Sequence, residues 1–303
     1  QSCVRQYGRE GMLAELYGVT GWDADFREYK HQGDWLAALG VTVRVPHLAW
    51  YAMEGEAKRD YPASIFYQSS WYREFPALED HYARLNTALT RGHALTRIAV
   101  IHPIESYWLL KGPAEYCAAA AKELDANFHT LTEWLIANNL DFDFISEALL
   151  PAQCPAGNAP LQVGAMAYDV VLVSGCRTLR RSTLERLSAF QNAGGRLLFL
   201  GERPEWIDAQ TPTAEDWCFL NKTPLLPFSR MALMNALDSC RDFWLRNEDG
   251  SPCQAYAAQL RQDGSDRWLF LAPLAPPPNK DVDAGRPLTI LISGRYRPEC
   301  YDT

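Results

Sequence analysis

Three neighbouring stretches decide the fold class: Asp169-Val170-Val171-Leu172-Val173, then Ser182 to Gln191, then Gly194-Gly195-Arg196-Leu197-Leu198-Phe199-Leu200. The first and last are short apolar runs without polar alternation, as expected of strands covered on both faces. Ser182 to Gln191 between them carries helical spacing, and the Gly pair marks the turn back into the sheet. A strand, a helix and a second strand in that order make a parallel crossover. Upstream the pattern repeats, with a strand at Arg97-Ile98-Ala99-Val100-Ile101, a long helix over Ala114 to Asn138, and a strand at Asp141-Phe142-Asp143-Phe144-Ile145. The middle of the chain is therefore read as a doubly wound parallel sheet.

The first 92 residues carry a different α/β pattern. An apolar run at Met12 to Tyr17 ends in Gly18, a helix is expected over Phe26 to Leu39 with Gly40 as its cap, and Val41 to Pro46 follows as a strand. A second amphipathic helix runs from Leu78 to Leu89. This is one β/α repeat and the start of another. Beyond Pro204 come Pro-rich loops, a helical stretch near Met231 to Leu237, and period-two segments at Ala255 to Leu260, Arg267 to Leu271 and Leu288 to Ile292, which suit antiparallel strands. Three domains are expected, over residues 1–92, 93–205 and 206–303, the last of them unfinished.

The 303 residues are 48% apolar and 22% charged, with no apolar stretch long enough to span a bilayer. A net charge of −8 and the lack of a Lys/Arg run leave nothing to neutralise a phosphate backbone, so neither membrane nor nucleic acid is an expected partner. The eight cysteines are scattered, without a CxxC pair or zinc spacing, and no GxGxxG or P-loop occurs. Neither metal nor cofactor is expected, and the cysteines fit a reducing, cytoplasmic compartment, although an even count would also suit disulfides. The chain opens on Gln1-Ser2-Cys3 with no initiating Met, which points to a start further upstream.

Chemistry gathers at the ends of the first two strands. Glu15 precedes the loop Leu16-Tyr17-Gly18-Val19-Thr20-Gly21-Trp22, and the second strand runs into Pro46-His47, Trp50, Tyr51 and the polar segment Glu54-Gly55-Glu56-Ala57-Lys58-Arg59-Asp60. Functional side chains collect at that rim in β/α barrels. The candidate catalytic residue is Glu15, and the candidate sugar-binding set is Tyr17, Trp22, His47, Trp50, Tyr51, Glu56, Lys58, Arg59 and Trp71. Aromatic rings cover the apolar face of a pyranose while charged groups hydrogen-bond its hydroxyls. The plainer reading stays open at this level: Glu15 as a strand-end carboxylate paired with Arg44 or Arg59, His47 as a structural histidine, and the aromatic residues as core. Ser174-Gly175-Cys176-Arg177 is not read as a nucleophile elbow, because no His follows His129 to activate a thiol.

The runs Ala14 to Trp22, Ala38 to His47 and Lys58 to Gln68, continuing through Tyr82-Ala83-Arg84-Leu85 and Ala99 to Ser106, resemble the end of the barrel in large bacterial glycoside hydrolases. The relatives implied are the family 42 β-galactosidases and, more distantly, the family 106 α-L-rhamnosidases. The resemblance implies the C-terminal part of a (β/α)8-type barrel, then a flavodoxin-like sheet similar to class I amidotransferases, then a small β domain. Without an activated cysteine the middle domain is read as structural, serving in packing or homo-oligomer contacts. The resemblance also implies a carbohydrate substrate, with Glu15 on the seventh barrel strand as the nucleophile of a retaining enzyme and His47 on the eighth. The acid/base carboxylate would belong to a fourth strand that this sequence does not contain. The alternative is a non-catalytic carbohydrate-binding or oligomerisation module.

Overall fold

The computed structural model describes residues 1–60, 63–276 and 285–301. Tyr61 and Pro62, within one of the resembling runs, lie outside them. The chain divides into two compact units, one of Gln1, Arg9–Leu95 and Phe243–Thr303, the other of Ser2–Gly8 and Thr96–Asp242.

The first unit begins with strand β1 (Leu13–Leu16), helix α1 (Phe26–Ala38), strand β2 (Val43–Pro46), helix α2 (Pro76–Leu89) and the short strand β3 (His93–Ala94). β1 and β2 pair in parallel, Leu13 opposite Val43 and Leu16 opposite Pro46. α1 starts where Asp25 accepts the backbone N–H groups of Arg27 and Glu28, which satisfies donors that the first helical turn leaves without partners. Leu16, Tyr17 and Tyr29 pack with Phe75, Leu78, Tyr82 and Leu85 in a core that closes one face of the strand pair.

The second unit holds a five-stranded parallel sheet: β4 (Ile98–Ile101), β5 (Phe142–Ile145), β6 (Val170–Ser174), β7 (Arg196–Leu200) and β8 (Leu225–Leu226), in spatial order β8-β7-β6-β4-β5. The helices α3 (Ala114–Ala137), α4 (Arg181–Asn192), α5 (Ala214–Lys222) and α6 (Arg230–Leu237) accompany it. Alternation sorts the strand residues between two cores. Ala99, Ile101, Val171, Val173, Leu197 and Phe199 meet Leu184, Leu187 and Phe190 of α4, while Ile98, Val100, Val170, Leu172 and Leu198 meet Leu131 and Leu135 of α3 and Leu233 and Leu237 of α6. Every residue of β4 and β6 is buried, as a parallel sheet covered on both faces requires.

A short helix, Ser2–Gln6, covers the free edge of β5. The Ser2 hydroxyl accepts the Phe144 N–H at 2.8 Å, and Gln6 Nε2 donates to the Phe144 carbonyl at 2.9 Å, so backbone groups that an edge strand would expose are occupied. Arg5 is held by Asp141 at 2.7 Å, Asp143 at 3.3 Å and Thr96 at 2.9 Å.

The chain then returns to the first unit with β9 (Phe243–Arg246), β10 (Tyr256–Asp263), β11 (Asp266–Pro273) and β12 (Thr289–Ile292). β10 and β11 form an antiparallel hairpin, β3 joins β10, and β9 pairs with β12. The boundaries read from the sequence at 92 and 205 shift accordingly. Residues 206–242 complete the parallel sheet through β8 and α6, and the C-terminal strands form one unit with the opening β/α segment. The cause is non-local pairing: β3 finds its partner some 170 residues along the chain, at Gln262 opposite His93.

No helix among the described residues is long and apolar enough to cross a membrane. All eight cysteines are free.

Candidate active site

The strand pair is covered on one face only. Ala14 and Leu16 point into the core, whereas Leu13 is 64% exposed, Val43 47% and Val45 40%. Glu15 shares that open face by strand alternation, opposite Val45 at the C-terminal end of β1. Its side chain is exposed, and a Cβ added at Gly18 would meet its Oε1 at 3.9 Å, so the carboxylate lies beside the loop that leaves the strand. Among the described residues no hydrogen bond or ion pair engages it.

Both arginines that could have neutralised it are committed elsewhere. Arg44 lies over the Tyr82 ring at 4.1 Å and donates to Asn86 Oδ1 and to the Val41 carbonyl, both at 3.2 Å. Arg59 pairs with Glu56 at 3.0 Å on the surface. The histidine after β2 donates its backbone N–H to the Leu16 carbonyl at 2.8 Å, which extends the β1–β2 ladder by one bond. Extended alternation puts His47 on the same face as Val45 and Glu15. Its Nδ1 is buried without a hydrogen-bond partner among the described residues.

Above the strands, Trp22 and Trp50 approach to 5.7 Å between ring centroids, and Trp22 Nε1 donates to the Arg59 carbonyl at 3.2 Å. Tyr51 stands 98% exposed, and Lys58 Nζ donates to the Glu54 carbonyl at 2.6 Å. Glu15, Trp22, His47, Trp50, Tyr51, Glu56, Lys58 and Arg59 thus all belong to the rim at the strand ends or its loops. Tyr17 and Trp71 do not. Tyr17 is 2% exposed with its ring edge-on to Tyr29 at 4.5 Å, and burial pushes its hydroxyl up to about 12. Trp71 packs between Phe26, Tyr29 and Phe75. Tyr17 is a core residue, and Trp71, half-buried, packs against the same core.

Behind the rim, α1 and α2 are locked by polar groups. Asp34 accepts from His81 Nε2 at 2.7 Å and from Lys30 Nζ at 2.5 Å. Burial acts to raise its carboxyl, but the His81 and Lys30 contacts outweigh burial and hold it below the usual carboxylate range. The Tyr82 hydroxyl donates to the Tyr29 and Lys30 carbonyls at 3.1 and 3.2 Å. These bonds give the rim a stiff support.

Residues the sequence did not single out hold the upper loop. Gln68 Nε2 donates to the Trp50 carbonyl at 2.7 Å and Gln68 Oε1 accepts from Ser64, while the Ile65 N–H bonds the Leu48 carbonyl at 3.0 Å. Ser64 and Ser69 sit buried beneath the aromatic pair Phe66 and Tyr67. The signal that marks them is the run Ser64 to Ser69 itself, in which small hydroxyl residues bracket two large rings.

In the parallel unit Cys176 is fully buried and its thiol is pushed well above the ordinary range by burial, with Glu147 adding to the effect. The left-handed residue at the strand end is Gly175, at φ 67°, rather than the cysteine. The thiol is placed as a core side chain. Among the described residues no group of three His, Cys, Asp or Glu is arranged to hold a metal.

No known family profile matches the sequence, and no curated protein matches it. Solved structures do. A rhamnosidase from Novosphingobium sp. PP1Y superimposes with a TM-score of 0.62 at 16% identity, covering 89% of this chain and 26% of that one. The GH42 β-galactosidase Gan42B matches with a TM-score of 0.56 at 11% identity over 85% of this chain and 47% of that one. A catalytic mutant of Gan42B from G. stearothermophilus matches at 0.54 and 11% over 82% and 45%. These likenesses are of fold, and the chain spans from about a quarter to under half of those proteins. They are the two kinds of enzyme that the sequence motifs resemble.

Proposed function

We propose that this chain forms part of the sugar-cleaving site of a glycoside hydrolase, with Glu15 as the nucleophile. One observation carries the reading. An exposed carboxylate without a cation partner stands at the C-terminal end of a parallel strand, on a face whose other residues, Leu13, Val43 and Val45, are apolar and uncovered. Parallel strands are normally buried on both sides. That face is proposed as the inner wall of a (β/α) barrel whose remaining strands lie outside this sequence.

In that setting the Glu15 carboxylate attacks the anomeric carbon, the glycosidic C–O bond breaks, and the leaving oxygen takes a proton from a second carboxylic acid on one of those other strands. Water then attacks the same carbon, the second carboxylate takes its proton, and Glu15 is released. Configuration is retained. Trp22 and Trp50 would cover the apolar face of the ring, and His47 Nδ1 would find its partner in a hydroxyl. The second unit is proposed to serve in packing or homo-oligomer contacts, in a reducing compartment that suits eight free thiols.

The test uses the polypeptide of the whole gene, assayed with nitrophenyl β-galactoside and nitrophenyl α-rhamnoside. One of them is cleaved by the parent, and Glu15→Gln lowers kcat roughly 10³-fold or more with the fold intact. A Glu15→Gln protein of parental activity refutes the assignment. A parent that binds sugar but cleaves neither substrate returns the alternative, a non-catalytic carbohydrate-binding module.

A further inference from the structure

We propose that Phe66, Tyr67 and Tyr72 form a distal sugar subsite, so that the ligand of this rim is an oligosaccharide whose further rings rest there. The inference depends on the carbohydrate reading of Glu15 and adds a second binding place to it. Phe66 is 49% exposed and Tyr67 53%, with ring centroids 5.2 Å apart and nearly perpendicular. Tyr72 flanks Phe66 at 5.9 Å, and Arg73 Nε donates to the Tyr72 hydroxyl at 3.3 Å.

This exposure does not come from a loose loop. Ser64 is 0% exposed and Ser69 6%. The Phe66 N–H bonds Ser64 Oγ at 3.2 Å, the Ser69 N–H bonds the Phe66 carbonyl at 2.9 Å, and the Ser69 hydroxyl donates to the Ser64 carbonyl. A backbone fixed by these bonds holds two rings half in water.

The occupant follows from size and position. Two half-exposed rings offer about 200 Å² together, far short of the ~800 Å² per partner of a stable protein interface. The patch is of the size of one or two pyranose rings, with hydrogen-bonding groups at its margin in Arg73 and the tyrosine hydroxyls. It is also continuous with the rim. The Tyr67 hydroxyl donates to the Tyr51 carbonyl at 2.9 Å, and Gln68 and Ile65 bond the carbonyls of Trp50 and Leu48. Both aromatic sets therefore ride on bonded loops, Trp22 and Trp50 on those that leave β1 and β2, and Phe66 and Tyr67 on the segment tied to Trp50 and Tyr51. A chain of linked sugars can engage the two at once, and a single sugar cannot.

Isothermal titration on this chain, with galactose, rhamnose, a galactotetraose and a rhamnose-containing tetrasaccharide, tests the idea. One tetrasaccharide is expected to bind at least tenfold tighter than its monosaccharide. The Phe66→Ala/Tyr67→Ala variant is expected to lose about tenfold or more in tetrasaccharide affinity, with unchanged circular dichroism and unchanged monosaccharide affinity. Equal tetrasaccharide binding by variant and parent overturns the subsite. Monosaccharide binding that Trp22→Ala abolishes, with no gain for either tetrasaccharide, overturns the subsite and leaves the Glu15 reading standing. Failure of all four sugars to bind overturns the subsite, and the Glu15 reading is then decided separately by the Glu15→Gln assay on the polypeptide of the whole gene.

Discussion

Arg5→Met tests the most heavily buried ionic group. Arg5 and Asp143 have side chains 7% and 0% exposed, and Asp141, which takes the shortest bond to Arg5, is 29% exposed. Burial pushes the Asp143 carboxyl above the ordinary carboxylate value, with the Arg5 guanidinium opposing it. Asp143 keeps hydrogen bonds from the Tyr168 hydroxyl, at 3.0 Å, and from the Ser2 side chain. Methionine fills the space and removes the charge, which leaves a fully buried carboxylate without a cation. Breaking a buried pair in this way costs about 3–5 kcal/mol, against a total stability of roughly 5–15 kcal/mol. The cost depends on pH in a fixed direction. Without Arg5 the folded-state pKa of Asp143 rises further above its unfolded value near 3.9. Across the window between those two values the native state binds more protons than the unfolded state, so stability falls as pH rises. The deficit of Arg5→Met is expected to be largest at pH 7–8 and to shrink toward pH 4–5. Adding Asp143→Asn, whose Oδ1 still accepts from Tyr168, should recover most of it. Urea unfolding, with hydrogen-exchange mass spectrometry of peptides across β5 to identify the transition, measures each variant. A loss under about 1 kcal/mol at pH 7, or a loss equal at pH 5 and 8 that Asp143→Asn leaves in place, refutes the reasoning.

The remaining predictions concern three other sites. Glu147 is 2% exposed and burial pushes its carboxyl up to about 7 from 4.5, while its Oε2 accepts the Arg180 N–H at 2.8 Å. The parent therefore loses stability as pH rises from about 4.5 through 7, and Glu147→Gln should gain on it by about 3 kcal/mol between pH 4 and 8 in urea midpoints. In α1, a Cβ at Gly33 would stand 1.8 Å from the Tyr82 hydroxyl, which is pinned by its bonds to Tyr29 and Lys30. Gly33→Ala should lower the melting temperature despite a helix-propensity gain of about 1 kcal/mol, because overpacking costs about 1–3 kcal/mol, and Tyr82→Phe should relieve part of the loss. Native alkylation with iodoacetamide, read by peptide mass spectrometry, should label Cys3, Cys218 and Cys300 quickly and Cys154 and Cys176 only on unfolding; rapid labelling of Cys176 contradicts its placement in the core.

Where local physics is decisive, sequence and structure agree. The helix expected over 26–39 forms as Phe26–Ala38 because Asp25 caps it and Gly40, at φ 102°, turns the chain beyond it. The strands of the parallel sheet form where the apolar runs lie, because those runs are long enough to be buried on both sides. The helix Ala214–Lys222 lies outside the expected elements although its capping box, Thr213 with Asp216, is written in the sequence. Pro204, Pro212 and Pro224 around it read as loop, and the local cap was the weaker signal. The regrouping of residues 206–242 and of the C-terminal strands had no local signal at all, since it rests on β8 meeting β7 and β3 meeting β10.

At the site the limit was of another kind. Tyr17, Trp22, Trp50 and Trp71 are alike as residue types, and only packing separates a ring that covers the core from one that faces the rim. Burial on the strands is informative in the same way. Val100 in β4 and Val45 in β2 both sit in parallel strands, yet the first is 1% exposed and the second 40%. β4 has strands on both sides and helices over both faces, whereas β2 has one neighbour and a bare face. The difference lies in what covers the strand rather than in the valine, and under the proposed function the uncovered Leu13, Val43 and Val45 form a surface that faces the inside of the barrel. Glu15 occupies the C-terminal edge of that surface. On the proposed reading, a carboxylate at that edge is the group placed to meet an electrophilic carbon once further strands enclose the rim.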